Sequence, residues 1–156
     1  MFLSSHEKQL DAKRRLLVPQ DFRAAALQAL DGPNDPVPPF EGLYCFAAID
    51  AQCIECGGAA FFATYRDEIN QYSKLSATRK ALEHRFYAAM QRLNFDTAGR
   101  ITLPEKLCQK FGLTSDVLLT GLGDSFQIWE PSAYEAYAVE QDRLVTAAFS
   151  GRGERA

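Results

Sequence analysis

The chain of 156 residues has no apolar run that approaches the ~18–20 residues of a membrane span. The first fifteen residues, MFLSSHEKQLDAKRR, also lack a signal-peptide core and a cleavage site. Apolar residues make up 47% of the sequence and charged residues 24%, proportions typical of soluble globular proteins. We therefore expect a cytoplasmic protein with no membrane partner and one core of ordinary size.

Histidine is scarce, and the cysteines form only one recognisable motif. His6 and His84 are the two histidines, and neither lies at ligand spacing from the single C-x-x-C, Cys53 to Cys56. A structural zinc site needs four ligands. We therefore expect no metal and no cofactor. We also expect the four cysteines to be free thiols, because disulfides are rare in a reducing compartment.

Basic residues are absent from two long segments, residues 31–60 and residues 111–142. These segments hold eleven of the 20 acidic residues, which leaves nine acids against all 17 bases in the rest of the chain. The net charge of −3 argues against a nucleic-acid partner. The segregation of charge, however, permits one basic face on an acidic protein. Solvated surface is the simpler interpretation of such charge runs.

One short motif occurs twice, as DAKRRLLVP in residues 11–19 and as DTAGRITLP in residues 96–104. Asp, Arg and Pro recur at one constant offset in the two copies. Each copy predicts a strand end, a tight turn, a short return strand and a helix that begins near the proline. We therefore expect one domain, residues 1–150, built from two repeats of about 1–93 and 94–150, and a disordered tail over 151–156.

The hydrophobic pattern predicts the other elements. The first half should contain strands over Leu43–Ile49 and Ala59–Thr64, with a hairpin loop containing the C-x-x-C between them, and a long helix over about 66–93. In the second half, Gly112 should end the short helix that follows Pro104. Two strands joined by a Gly-rich turn within 117–129 and a helix from Pro131 should follow. The short helix after the first proline should bury Phe22, Ala26 and Leu30. The last helix should carry an apolar stripe on one side, formed by Tyr134, Tyr137 or Ala138, Leu144 and Val145. One face of the long helix is basic, with Lys74, Arg79, Lys80, Arg85 and Arg92.

Each repeated turn contains the residues that would hold an arginine on a rigid hairpin. Asp11 and Asp96 can accept hydrogen bonds from backbone N–H groups shortly after them, and Gly99 allows a positive φ without steric cost. Three interpretations remain open. In the first the Asp–Arg pair braces the hairpin, and in the second the arginine binds phosphate or guanine. In the third the two aspartates form a protease-like pair, which the neighbouring cations Lys13 and Arg14 disfavour.

These motifs and the segments around them resemble the MraZ family. The resemblance rests on the opening MF, on LDAKRRLLVP followed by F-R, on FDTAGRITLPEKL, and on VLLTGLGDSFQIW with the proline after it. It covers nearly the whole chain. It implies an α+β fold, namely a pseudo-twofold, duplicated swapped-hairpin β-barrel of the AbrB type with short and long flanking helices. It also implies a ring-shaped homo-oligomer.

The resemblance further implies a bacterial transcriptional regulator that is not an enzyme, has no small-molecule substrate and associates with the nucleoid. Its partner would be double-stranded DNA, bound at short direct repeats upstream of a cell-division and cell-wall gene cluster. The DNA-binding residues it implies are Arg15 and Arg100, with Lys13 in the first turn. Arg14, beside them, is a further candidate that the resemblance does not supply. The turn-structuring residues it implies are Asp11, Asp96 and Gly99.

Two positions depart from the family pattern. Arg14 stands where the family usually has glycine, so the first turn is expected to be strained, to be of another type, or to gain an extra contact. Ala98 stands in the second turn at the position that Lys13 occupies in the first, so the two turns should contribute unequally. The alternative function is an antitoxin-like protein-interaction module of the AbrB type. The short predicted tail disfavours it, because such a module would use a long disordered tail to wrap its partner.

Overall fold

The computed structural model describes residues 1–28 and 37–151 and is a mixed α+β structure. The strands in these residues are β1 (Ser5–Gln9), β2 (Arg15–Leu17), β3 (Gly42–Ala47), β4 (Ile54–Gly57), β5 (Gln91–Asn94), β6 (Arg100–Thr102), β7 (Asp116–Gly121) and β8 (Phe126–Trp129). The helices are α1 (Gln20–Ala26), α2 (Ala59–Asn70), α3 (Ala77–Glu83), α4 (Glu105–Phe111) and α5 (Pro131–Ser150). A π-helical turn, His84–Ala88, continues α3.

Six strands form one antiparallel sheet in the order β1-β7-β8-β4-β3-β5, and β2 and β6 form a separate two-stranded ribbon. The outer strands pair with partners distant in sequence, since β1 pairs with β7 and β5 pairs with β3. At the centre, β4 pairs with β8, and Glu55 lies opposite Gln127. The first four strands therefore interleave with the last four, and each set depends on the other for ladder hydrogen bonds.

Alternation along β3 places two different clusters on the two faces of the sheet. Leu43 and Cys45 belong to the main core, which the ribbon, α1 and α4 close from one side. Tyr44 and Phe46 face the other way and pack with aromatic residues of α2 and the π-helical turn. The amino-terminal part of α5 covers Trp129 at the end of β8. The ribbon is thus fixed to the body by its apolar side.

The structure corrects the predicted strand over Ala59–Thr64, which is the first part of α2. The segment predicted as a hairpin loop contains the actual strand, β4, and Cys56 and Gly57 lie within it. Alanine favours helix, and the aromatic side chains of Phe61 and Phe62 pack against β3 from that helix. This packing overrides their intrinsic preference for strands.

The predicted long helix over 66–93 is also wrong. Helix α2 ends at Asn70, α3 begins after Ser76, and residues 91–94 form β5. The side chain of Ser76 accepts a hydrogen bond from the backbone N–H of Arg79, which is a standard helix N-cap. Leu75, which a single long helix would bury, is 97% exposed in the connection between the helices.

Other local predictions are confirmed, except for the second half of the stripe on the last helix. Helix α1 buries Phe22 and Ala26, while Leu30 lies outside the described residues. Gly112 ends α4 in the left-handed conformation, with φ 66°. Helix α5 begins at Pro131, and its tyrosines Tyr134 and Tyr137 pack on Trp129. Its predicted stripe does not continue, because Leu144 and Val145 are exposed. The predicted tail beyond residue 151 lies outside the described residues.

The sequence predicted that no segment spans a membrane, and the lengths and compositions of the helices in the described residues can be compared with that prediction. None of them combines the length and the apolar character that crossing a bilayer requires.

Candidate nucleic-acid interface

The first repeated turn is held by the carboxylate of Asp11, between β1 and β2. Its Oδ1 accepts hydrogen bonds from the backbone N–H groups of Lys13 and Arg15, both at 2.9 Å. Its Oδ2 accepts a hydrogen bond from Nε of Arg15 at 2.5 Å. The backbone N–H of Arg14 donates to the carbonyl of Asp11 at 3.0 Å. One carboxylate therefore fixes both the turn and the guanidinium of Arg15.

The second turn, between β5 and β6, has the same set of hydrogen bonds. Oδ1 of Asp96 accepts from the backbone N–H groups of Ala98 at 2.9 Å and Arg100 at 2.8 Å. Oδ2 accepts from Nε of Arg100 at 2.8 Å, and the backbone N–H of Gly99 donates to the carbonyl of Asp96 at 3.0 Å. The three residues between Asp and Arg differ in the two copies, so this set of hydrogen bonds does not depend on their identities.

The ribbon brings the two turns together on one surface. In the antiparallel pairing of β2 with β6, Arg15 lies opposite Thr102 and Leu17 lies opposite Arg100. Leu16 and Ile101 pair between them and are buried. Because side chains alternate along a strand, both arginines project from the outer side of the ribbon. Their Cα atoms are diagonal neighbours, which are about 7–8 Å apart in such a pair.

Both arginines keep part of the guanidinium free. The side chain of Arg15 is 34% exposed and that of Arg100 is 35% exposed. In each of them Nε is bonded to the aspartate, while the two terminal nitrogens have no hydrogen-bond partner within residues 1–28 and 37–151. A guanidinium fixed at Nε presents its terminal nitrogens in a defined direction. Such a fork matches the oxygens of a phosphate or the O6 and N7 atoms of guanine.

Hydrogen bonding lowers the pKa of both turn carboxyl groups. For Asp11 the largest cause is the backbone N–H of Arg15, and for Asp96 it is the backbone N–H of Arg100. The arginine side chains lower both pKa values further. Both aspartates are therefore charged at neutral pH, each with its own set of donors. This arrangement does not support a proton shared between them, which a protease-like pair would need.

The fourth residue of each turn has a positive φ, 61° at Arg14 and 84° at Gly99. Glycine adopts this conformation without cost, whereas another L-residue loses roughly 1 kcal/mol. The expected strain at Arg14 is therefore present in the backbone. Its side chain, however, makes a contact that glycine could not make, because Nε of Arg14 donates to the carbonyl of Leu103 at 3.1 Å.

The second turn receives the corresponding contact from another element. Nη1 of Arg23, on α1, donates to the carbonyl of Val18 at 2.6 Å. Val18 and Leu103 are equivalent positions, each directly before the proline that precedes a short helix. The Arg23 guanidinium lies over Gly99, where an added Cβ would overlap Nη1. A guanidinium thus bonds to the equivalent carbonyl in each half of the chain. The first turn supplies it for Leu103, through Arg14, and α1 supplies it for Val18, through Arg23.

The remaining predicted cations have different surroundings. Lys13 is exposed at the tip of the first turn, and Ala98 is exposed at the same place in the second. The basic face predicted for the long helix is dispersed. Nη2 of Arg85 donates to the carbonyl of Ala47 at 2.6 Å, and the guanidinium of Arg92 lies 4.4 Å from the ring centre of Phe40. These arginines stabilise the chain itself.

The cysteines form no second candidate site. All four, Cys45, Cys53, Cys56 and Cys108, are free, as predicted, and all four are also buried. Burial is the largest cause that raises the pKa of Cys53 to about 12, and the nearby charge of Glu55 adds to it. Such a thiol is protonated and unreactive at neutral pH. Within the described part of the chain, no group of His, Cys, Asp and Glu side chains is arranged to hold a metal ion.

Two residues near the turns, Arg23 and Leu17, were not identified from the sequence, whereas alternation from Ile101 already placed Thr102 on the side of Arg100. Arg23 follows its proline by four positions, and no local pattern connects it with a glycine 76 positions later. Leu17 and Thr102 share the outer side of the ribbon with the arginines. Strict alternation along β2 from buried Leu16 would have placed Leu17 there.

Comparison with known proteins identifies the class. The family model "MraZ protein, putative antitoxin-like" matches residues 86–151. A protein of Phenylobacterium zucineum (strain HLK1) is 51% identical over 144 residues, which cover 92% of this chain and 84% of the relative. One from Caulobacter vibrioides (strain NA1000 / CB15N) is 48% identical over 144 residues, 92% of this chain and 86% of the relative. One from Gluconobacter oxydans (strain 621H) is 35% identical over 153 residues, 97% of this chain and 90% of the relative.

Each of these relatives is named "Transcriptional regulator MraZ", so the class is that of transcriptional regulators. The chain belongs to the MraZ family. This membership confirms the family predicted from the repeated motif.

Proposed function

We propose that this protein is a sequence-specific regulator that binds double-stranded DNA through its two D-x-x-x-R turns. The observation that carries the proposal is the placement of Arg15 and Arg100 side by side on the outer side of one ribbon, each held by the same aspartate geometry. Lys13 adds a cation at the tip of the first turn. Asp11, Asp96 and Gly99 structure the turns. Membership in a family of transcriptional regulators supports this function over an enzymatic one.

The geometry favours presentation of the arginines over a purely structural brace. A brace needs only the bond from Nε to the carboxylate, and both arginines make that bond, while their terminal nitrogens have no hydrogen-bond partner among the described residues. The segments that carry the turns also contain the excess of basic residues, whereas residues 31–60 and 111–142 are purely acidic. A partly exposed arginine fork in a basic region suits phosphate or a guanine edge.

The inequality of the turns supports recognition of direct repeats. The first turn has Lys13 and Arg14 where the second has Ala98 and Gly99. A pseudo-twofold ribbon with unequal ends has a direction, and binding sites mirror the symmetry of the protein that reads them. One subunit should therefore read an unsymmetrical sequence. Several subunits in one orientation would then read that sequence as short direct repeats.

The interleaved strands support the wider architecture that we propose. The sheet order β1-β7-β8-β4-β3-β5 reads alike from both ends when each strand is exchanged for its counterpart in the other half. This order suits one domain of two repeats with exchanged hairpins, which is the duplicated swapped-hairpin barrel. We further propose a ring-shaped homo-oligomer that displays the turns on one surface. The regulated genes would be a cell-division and cell-wall cluster, and the protein would associate with the nucleoid.

The test begins with selection of a binding site by the wild-type protein from a random-sequence duplex library. Arg15→Ala and Arg100→Ala are then titrated on this duplex by fluorescence anisotropy at several salt concentrations. Removal of one arginine–phosphate interaction should reduce the slope of log K against log salt by roughly 0.9. Removal of one arginine–guanine interaction should instead cost about 1–3 kcal/mol and relax the preference at one position. Arg15→Ala should weaken binding more, because the first turn carries more cations.

Arg143→Ala is the matched control, because Arg143 is also paired with a carboxylate, Glu140, at 2.6 Å, but lies on α5. Light scattering on every variant should give the same particle, well above a dimer. Wild-type affinity in both turn variants would make the arginines braces, and a monomeric wild type would exclude the ring. If no sequence is selected at all, the antitoxin-like interaction module becomes the better function.

A further inference from the structure

The outer side of the ribbon carries two uncharged residues beside the arginines. Leu17 lies directly opposite Arg100, and Thr102 lies directly opposite Arg15. Leu17 is 46% exposed, and Thr102 is also exposed. These two residues occupy equivalent positions in the two repeated motifs. The outer side is therefore a patch of two guanidinium groups with a methyl-bearing side chain next to each.

We propose that Leu17 and Thr102 determine sequence specificity by contacting the C5-methyl groups of thymines in the major groove. This inference rests on the proposed function, since it requires the ribbon to face DNA. In this proposal the arginines bind phosphate or guanine, and the two uncharged residues contact thymine. The reading surface is then the whole outer side of the ribbon.

The dimensions and chemistry of the groove favour this assignment. A major groove of about 12 Å admits a two-stranded ribbon. With the buried pair Leu16 and Ile101 facing the core, only the outer side can enter it. The leucine side chain cannot bond to a phosphate. The apolar group that a base edge offers in the major groove is the thymine methyl, which Thr and aliphatic side chains contact.

Leu17 and Thr102 should contribute unequally to the affinity for DNA. Leucine presents two methyl groups on a longer side chain, whereas threonine presents one methyl and a hydroxyl. The thymine that contacts Leu17, next to Arg100, should therefore contribute more to affinity than the thymine that contacts Thr102, next to Arg15. This difference adds to the direction already given by the unequal turns.

The experiment uses the selected duplex and replaces each thymine, one at a time, by deoxyuridine, which removes only the methyl group. At one or two positions we expect the dissociation constant to rise about fourfold, the effect of removing one buried methyl group. Leu17→Ala should weaken binding of the thymine duplex by a similar factor or more. It should also abolish the sensitivity to deoxyuridine at one position. Its salt slope should equal that of the wild type, because no charge is removed.

Three further variants sharpen the result. Leu144→Ala is the matched control, because Leu144 is also 46% exposed but lies on α5. Thr102→Ser removes a methyl group and should weaken binding, whereas Thr102→Val keeps it and should not. Light scattering confirms that each variant forms the wild-type particle.

The outcomes separate the inference from the proposed function. Suppose that Arg15→Ala and Arg100→Ala lose binding while deoxyuridine is tolerated at every position. The thymine interaction is then overturned and DNA binding by the turns stands. The same conclusion follows if Leu17→Ala weakens binding but leaves the deoxyuridine sensitivity unchanged. If the arginine variants also bind normally, the proposed function itself fails.

Discussion

Replacement of Gly99 by alanine tests the contact between the second turn and α1. Gly99 has φ 84°, so an added Cβ costs roughly 1 kcal/mol through the backbone alone. That Cβ would also overlap Nη1 of Arg23. The guanidinium ends a flexible side chain and can move away. It then loses its hydrogen bond to the carbonyl of Val18, which is worth about 1.5–3 kcal/mol for a charged donor.

Gly112 provides the matched control for this substitution. It has φ 66°, similar to that of Gly99, but no atom lies within 4 Å of the Cβ that alanine would add. Gly112→Ala should therefore cost only the backbone contribution, about 1 kcal/mol, whereas Gly99→Ala should cost about 3 kcal/mol. For a chain of this length, 1 kcal/mol lowers the Tm by about 2–4 °C.

The assay is thermal unfolding followed by circular dichroism, at one protein concentration because oligomers unfold at concentration-dependent temperatures. We expect a Tm lower by about 3 °C for Gly112→Ala and by about 9 °C for Gly99→Ala. In an Arg23→Ala background, Gly99→Ala should lower the Tm by only about 3 °C, because the hydrogen bond is already absent. Equal shifts for the two glycine variants in the wild-type background would refute the proposed coupling of Gly99 with Arg23.

Two further predictions concern the turns. Arg14→Gly relieves a φ of 61° but removes the hydrogen bond from Nε to Leu103, so the Tm should fall by about 3 °C; a higher Tm would mean that the backbone strain outweighs the bond. The lowered pKa values of Asp11 and Asp96 mean that these carboxylates stabilise the folded chain above their unfolded pKa of about 3.9, and that this contribution is lost as the pH falls through the lower folded values. An Asp11→Asn, Asp96→Asn variant should therefore lose less stability than wild type between about pH 5 and about pH 2, as measured by urea unfolding, and an unchanged acid dependence would contradict this.

Features that depend on a few adjacent residues could be predicted from the amino-acid sequence. An aspartate followed four positions later by an arginine predicted each turn, because the acceptors and donors of the turn lie within five residues. Pro131 marks the start of α5, and Gly112 marks the end of α4, because their allowed backbone angles suit those positions. The repetition of the motif led to the family, which the comparisons confirm.

Features that depend on residues distant in sequence became visible only in the folded chain. The stretch from Ala59 is helical because its aromatic side chains pack on β3, a contact that local propensity does not contain. The pairing of β2 with β6 places Arg15 and Arg100 on one surface, although they are 85 positions apart. The same holds for Arg23 over Gly99. The pattern of apolar residues in the sequence indicates which side of a strand or helix is buried. Which element packs against that side depends on the tertiary structure of the whole chain.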